Sequence, residues 1–398
     1  MMNLFNMEKE NKGNLIKCKV LKFYIANGNS TIIDLSKDLC LSIPTTTKLI
    51  NDMCDEGYVK EYGKLETSEG RHPNLYGVNP DSGYFIGVDI NHTSVNIGLM
   101  NFQGDLVDLR MDAPYKFQNT AESLDELCGI VTNFIDNLDT EKDKIFNVNF
   151  NISGRVNPDT GYSYSVFNFS ETPLSKIISD KIGFPVNIDN DSRAMAYGEY
   201  MSGCVKGERN VIFINVGWGL GLGIVIDGKL YKGKSGFSGE IGHVHTFNNE
   251  ILCHCGKKGC LETETSGSAF HRMFVERINN GETSTLLNKH KVADITLEDL
   301  IRATNHEDVL CIDIVENLGK KLGEYLAGLI NIFNPELVVV GGTMSLTGDY
   351  LLQPMTTSVR KYSLNLVFRD TRICLSKLKD RAGVIGACML GRNNMFEI

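Results

Sequence analysis

Two stretches of this chain share one pattern: an apolar strand, a tight turn, a second apolar strand and a glycine hairpin. They are "YFIGVDINHTSVNIGLMNFQGDLV", from Tyr84, and "NVIFINVGWGLGLGIVIDGKLYKG", from Asn210. Gln103-Gly104 and Asp227-Gly228 mark the hairpins. A strand unit that occurs twice predicts a duplicated, two-lobed fold. The segments between and after them, "FPVNIDNDSRAMAYGEYMSG" and "LGEYLAGLINIFNPELVVVGG", alternate strand and helix, so the lobes read as α/β. At 398 residues the chain is too long for one core, and two or three domains is the natural division.

The first eighty residues have a different texture. "NLIKCKVLKFYIAN" carries Leu15, Ile16, Val20, Leu21 and Tyr24 at helical spacing and stops at Gly28. A short helix follows with Leu35 and Leu39 inward. A third begins at Ser42, a good N-cap, with Pro44 in its first turn and Leu49, Ile50 and Met53 as its apolar stripe. Gly57 ends it, and "YVKEYGKLETSEGRHPNLYGVN" predicts two strands around a polar tip. Three helices and a hairpin make a winged helix-turn-helix, whose third helix reads the major groove from its N-terminal end. Thr45, Thr46, Thr47 and Lys48 stand there, and Arg71 near the hairpin tip suits a phosphate or a minor groove. Residues 1–80 hold ten basic and ten acidic side chains, so no basic footprint separates DNA binding from a helical interaction or dimerisation module. The overall charge of −9 excludes a chain that coats nucleic acid with its whole surface.

The N-terminus lacks the apolar segment of a secretory signal, and no apolar run approaches the roughly 18 residues of a membrane helix. A cytoplasmic protein without a membrane partner is expected. In a reducing compartment eleven cysteines are not a disulfide framework. Eight of them are scattered through apolar or helical patterns. The other three, in "CHCGKKGCLE", crowd together with His243 and His245 upstream, which points to a metal.

The chain resembles the ROK family of repressors, open reading frames and sugar kinases. The motifs that carry the resemblance are "GVDI…T" at 87–93, "NDSRAMAYGE" at 190–199, "GWGLGLGIVIDGKLYKGKSGFSGEIGH" at 217–243, "CHCGKKGCLE" at 253–262 and "LVVVGGTMS" at 337–345. It implies an actin/hexokinase-like (ribonuclease H-like) pair of lobes around a cleft, with the N-terminal winged helix marking the repressor branch. The implied division is 1–80 for DNA binding, 81–200 for a first lobe to which a helix at 381–398 returns, and 201–380 for a second lobe with a zinc site. His243, Cys253, Cys255 and Cys260 match the family's structural zinc ligands. One imidazole and three thiolates suit tetrahedral Zn2+ with no open position, and the alternative is a group of buried free thiols. Asn190, Asp191, Glu240, His243 and Glu262 match sugar contacts, as does Asn168. Asp191 corresponds to the general base of the sugar-phosphorylating relatives. The bland alternative for Asn190-Asp191 is a helix cap. His245 and His254 have no role in this scheme.

The resemblance also exposes departures. Family kinases carry Asp-x-Gly-Gly-Thr in the first phosphate loop, where this chain has Asp89-Ile90-Asn91-His92-Thr93. They carry Gly-Thr-Gly in the second, where it has Gly217-Trp218-Gly219, and commonly an aspartate where it has Asn101. Side chains in the place of glycine crowd the approach of backbone N–H groups to phosphate. The favoured reading is therefore a sugar-responsive regulator, a repressor rather than an enzyme. It would bind its operator as a dimer or higher homo-oligomer and respond to a sugar or sugar phosphate through lobe closure. An ATP-dependent sugar kinase with an added winged helix is the alternative. A regulator answering to a protein partner is the third reading.

Overall fold

The computed structural model describes residues 12–66, 72–288 and 290–396. Contacts divide the chain into two units, one of residues 1–152, 161–188 and 387–398, the other of 153–160 and 189–386.

In the first unit, helices Lys12–Asn27, Ile32–Asp38 and Ile43–Asp55 precede a three-stranded sheet in the order Ser30–Thr31, Asn74–Val78, Val59–Lys64. This is the expected winged helix-turn-helix. Ser42 caps the third helix by accepting from the Thr45 N–H at 3.3 Å, and Thr31 caps the second through Asp34. Both caps supply an acceptor that a helix start would otherwise lack. Val20, Leu21, Leu35, Ile50 and Met53 are fully buried, and their core continues into Phe85, Phe102, Phe146 and Phe396. The three rings from Phe85, Phe102 and Phe146 lie 5.5–5.8 Å apart, and Phe102 meets Phe396 at 6.1 Å. The winged-helix head is thus built onto that sheet through shared apolar packing.

That sheet has five strands in the order Val186–Asn190, Ile145–Ile152, Tyr84–Ile90, Ser94–Asn101, Leu106–Pro114. Its first hairpin pairs Val88 with Ile97 and Asp89 with Asn96.

The second unit repeats the plan: Lys229–Leu230, Leu220–Ile226, Val211–Val216, Leu337–Gly341, Arg372–Leu375. The hairpin pairs Val211 with Val225, and Val211–Asn215 runs parallel to Leu337–Gly341. Its core is aliphatic, from Ile212, Ile214, Leu318, Leu322 and Val340, with the 25-residue helix Val309–Phe333 packed on the helix Asp349–Tyr362. The duplication seen in the sequence is a duplication of sheets. The paired glycines at the end of the strand Leu337–Gly341 answer to the protein's own packing. A Cβ on Gly341 would lie 2.4 Å from the Phe213 ring, and Gly342 has φ +78° with Asn215 and Val216 behind it. The protein's own strand demands them.

Candidate functional site

The strand Val186–Asn190 runs directly into the helix Asp191–Ser202. Asn190 is the N-cap: its side-chain oxygen accepts from the Arg193 N–H at 3.1 Å, while its amide donates to the Gly154 carbonyl and to Asp191, each at 3.0 Å. The cap and the candidate sugar contact are therefore one residue. Asp191 accepts from the Ser153 hydroxyl at 2.7 Å and from the Ser192 N–H at 2.6 Å. Dense packing raises its pKa, and those hydrogen bonds together with Arg193 pull it partly back.

Arg193 is 2 % exposed and paired with an equally buried Asp189, to which its Nε donates at 2.7 Å. Its other nitrogens donate to the carbonyls of Gly236 and Val156. One buried guanidinium thus ties together the helix with Asp191, the 153–160 loop and the segment leading to Glu240. Sequence reading missed it, since nothing local to the motif marks that arginine as a tether.

Glu262 is buried at the start of the short helix Glu262–Thr265, accepting from the Leu220 N–H at 2.9 Å. A Cβ on Gly219 would come within 2.8 Å of that carboxylate, so a side chain there would have to displace it. The other oxygen lies 2.9 Å from Nδ1 of His254, whose ring packs edge-on against His243 at 5.0 Å. Burial alone would raise Glu262, but His254, the Leu220 N–H and the charge of His243 outweigh it and hold it low. His254, given no role by the sequence, is a partner of the central carboxylate. His245 is structural: its Nδ1 lies 3.1 Å from the Lys258 carbonyl. Glu240 is pushed up by burial and by Asp191, with Arg155 acting against the rise, and sits 3.8 Å from Nε2 of His243.

His243 faces two ways. Its Nδ1 lies 3.6 Å from the Cys253 sulfur, and the sulfurs of Cys255 and Cys260 are 3.7 Å apart. All four donor atoms lie within 4.8 Å of one another. Tetrahedral Zn–S bonds of about 2.3 Å set sulfur–sulfur edges of about 3.8 Å, so the cluster can hold a metal ion of that size. His243, His254 and Glu262 form a second convergent set that shares His243.

Asn168 belongs to the first unit, where its oxygen accepts from the Asn119 amide at 3.3 Å; the other five candidate sugar residues belong to the second. At the first phosphate loop Asn91 makes the turn by donating to the Ser94 carbonyl at 2.8 Å, and His92 is exposed. At the second, Trp218 is 48 % exposed with its ring 5.9 Å from His271. A bulky side chain occupies each loop.

On the recognition helix Ile43–Asp55, Thr45 and Lys48 are exposed and Thr47 is partly so. Thr46 is fully buried, and its hydroxyl donates to the Ser42 carbonyl at 3.1 Å. The expectation that it touches DNA is corrected, because Thr46, Ile50 and Met53 share the inner face at positions i, i+4 and i+7. Arg71 lies outside the described residues.

Residues 85–394 match the ROK family, and residues 14–60 match a family of winged helix-turn-helix DNA-binding domains. The xylose repressor of Caldicellulosiruptor bescii is 30% identical over 387 residues, covering 96% of each chain. A glucokinase of Halalkalibacterium halodurans is 31% identical over 314 residues, 76% of this chain and 93% of that one. Among solved structures, a ROK family transcriptional regulator described as a homolog of the E. coli MLC protein superposes with a TM-score of 0.79 at 26% identity, covering 96% of both.

Proposed function

The chain belongs to the ROK family, and from that membership we propose that it is a sugar-responsive transcriptional repressor without phosphoryl-transfer activity. The winged helix binds operator DNA through Thr45, Thr47 and Lys48, with Arg71 of the wing as a further contact. The effector is a sugar held by Asn190, Asp191, Glu240, His243 and Glu262. A structural Zn2+ on His243, Cys253, Cys255 and Cys260 braces the segments that carry Glu240 and Glu262; bound, it supplies rigidity and no chemistry. The protein acts as a homodimer, since winged-helix operators are usually read as two half-sites, and it works in the cytoplasm.

One observation carries this reading: the five side chains that match the family's sugar contacts lie in one unit, while Asn91, His92 and Trp218 stand in the loops where phosphate needs bare backbone. A polyhydroxylated ring gives buried carboxylates the donors they need, and a ligand shifts operator affinity only by its differential affinity for the two states. The coverage fits: the xylose repressor match spans 96% of this chain, whereas the glucokinase match spans 76% of it.

The test is a titration of the zinc-loaded protein against the DNA upstream of its own gene, at one fixed salt concentration, with a panel of sugars. Tight binding released by one sugar is the expected result. The second reading, a sugar kinase, draws on the burial that pushes Asp191 toward a proton acceptor. ATP-dependent turnover of a sugar without operator binding would move it to the front.

A further inference from the structure

Away from the cysteine–histidine cluster, two further cysteines of the second unit come together. The helix Asp191–Ser202 stops at Gly203, and Cys204 follows. The N–H and the thiol of Cys204 both donate to one oxygen of Glu199, at 3.1 and 3.2 Å. Glu199 is buried, and its other oxygen accepts from the Ser376 hydroxyl at 2.5 Å and the Leu378 N–H at 2.7 Å. Arg372 donates to the Cys204 carbonyl at 3.4 Å and to Glu208 at 2.7 Å. Arg372, Cys374 and Ser376 alternate along the edge strand Arg372–Leu375 and the residue after it, so they share one face. Arg372 touches Cys204 and Ser376 touches the carboxylate that holds it. Cys374, between them, is set toward the same place. Both cysteines pack on one small apolar cluster that includes Val211, Phe213, Leu337 and Val339, and both are partly exposed.

The two thiols are not equivalent. The Cys204 side chain holds the Cys374 thiol below its ordinary value, and the charge of Arg372 adds to this against burial. Cys204 is driven up, first by Cys374, then by burial and by Glu199. One sulfur is prepared to carry negative charge and the other to keep a proton, which is the division a nucleophilic thiol and its resolving partner need. Two space-filling thiols would have no such division.

We infer that Cys204 and Cys374 are a reversible dithiol/disulfide site, oxidised by a hydroperoxide, that ties the end of the Asp191 helix to the edge strand of the second sheet. The Cys374 thiolate attacks an oxygen of hydrogen peroxide. The O–O bond breaks, a sulfenic acid forms, and the departing hydroxide takes a proton from solvent to become water. The Cys204 sulfur then attacks the sulfenic sulfur while its proton passes to Glu199, 3.2 Å away. The S–S bond forms, the S–O bond breaks, and the second hydroxide leaves as water with that proton. The two thiols lose two electrons and the peroxide gains them. A thiol reductant reverses the bond by exchange. Arg372 already fastens the Cys204 backbone to the strand, so closure asks little of the chain. The inference stands apart from the sugar reading.

The test uses the full chain, reduced, then treated with equimolar hydrogen peroxide. Remaining thiols are blocked and the peptides are mapped by mass spectrometry. The expected main product is a Cys204–Cys374 cross-linked peptide that dithiothreitol returns to free thiols. Mapping by peptide keeps this signal apart from oxidation of Cys253, Cys255 and Cys260. In Cys204→Ser the sulfenic acid has no partner, and dimedone traps it on Cys374 at least about tenfold faster than on the exposed Cys40. In Cys374→Ser, Cys204 is labelled no faster than Cys40. Melting curves that match wild type show both variants to be folded, and the wild-type map needs neither. Two results overturn the inference: oxidised wild type without the cross-link, or a Cys374 that reacts no faster than Cys40.

Discussion

The wall that carries Asp191, Glu240 and Glu262 and the two loops that face phosphate in the family's kinases have opposite characters. In the wall Asp191 and Glu262 are each held by neighbouring donors. Ser153 holds Asp191, Leu220 and His254 hold Glu262, and Arg193 ties three segments behind them. In the loops the substituents are exposed: His92 in one, Trp218 in the other. Pre-organisation is what ligand recognition needs, and bare backbone is what phosphoryl transfer needs. A protein that keeps the first and lacks the second is organised for sensing.

The sharpest test of that contrast is to remove the metal from one side of it. If the proposed zinc site is filled, Cys255→Ser or chelation should release the segments bearing Glu240 and Glu262. Effector binding is expected to vanish and the melting transition of the second unit to fall by about 10 °C, since a structural zinc contributes several kcal/mol to its domain. Differential scanning calorimetry with metal analysis checks both. An unchanged melting curve at zero zinc would reduce the cluster to buried thiols.

The second test concerns Asp191. Its carboxylate is raised by burial, so holding it ionised costs stability, and Asp191→Asn should lose effector affinity by about 100-fold while melting a few degrees higher at pH 7. The sign follows from linkage. A folded pKa above the unfolded value gives a contribution that is fully favourable below the unfolded pKa and lost as pH rises through the folded one. The stability gap between variant and wild type should therefore close on acidification through that raised pKa. A gap that widens toward low pH would show that the carboxylate is favourably paired and not strained.

Much of the wall was legible because its residues sit in continuous motifs: Asn190-Asp191 at a strand–helix junction, and Cys253, Cys255 and Cys260 within one loop. The parts that were not legible come from elsewhere in the chain. Ser153 enters from a loop more than thirty residues upstream of Asp191, and the contact of His254 with Glu262 depends on how a loop folds back. No periodicity carries such information. Thr46 is a different case. Its spacing to Ile50 and Met53 is the i, i+4, i+7 of an inner face, so the helix phase could have excluded it from the DNA-facing set. The head's shared core with Phe85, Phe102 and Phe146 was hidden for the first reason, since it joins residues some 130 positions apart.

The smallest expected effect lies on the other side of the comparison. Restoring glycine at Asn91 and His92 and threonine at Trp218 removes the side chains that crowd phosphate but supplies none of the second-layer contacts that hold a working loop. The triple variant should gain ATP affinity by no more than about tenfold, roughly 1.4 kcal/mol, with no measurable turnover. Nucleotide binding followed by calorimetry decides it. Efficient turnover in the triple variant would mean that the three side chains alone separate this chain from a kinase. Weak binding without turnover would mean that the difference extends into the layer behind the loops, where Asp89 is held by the Asn151 amide at 3.1 Å on a strand that also buries Asn147 and Asn149.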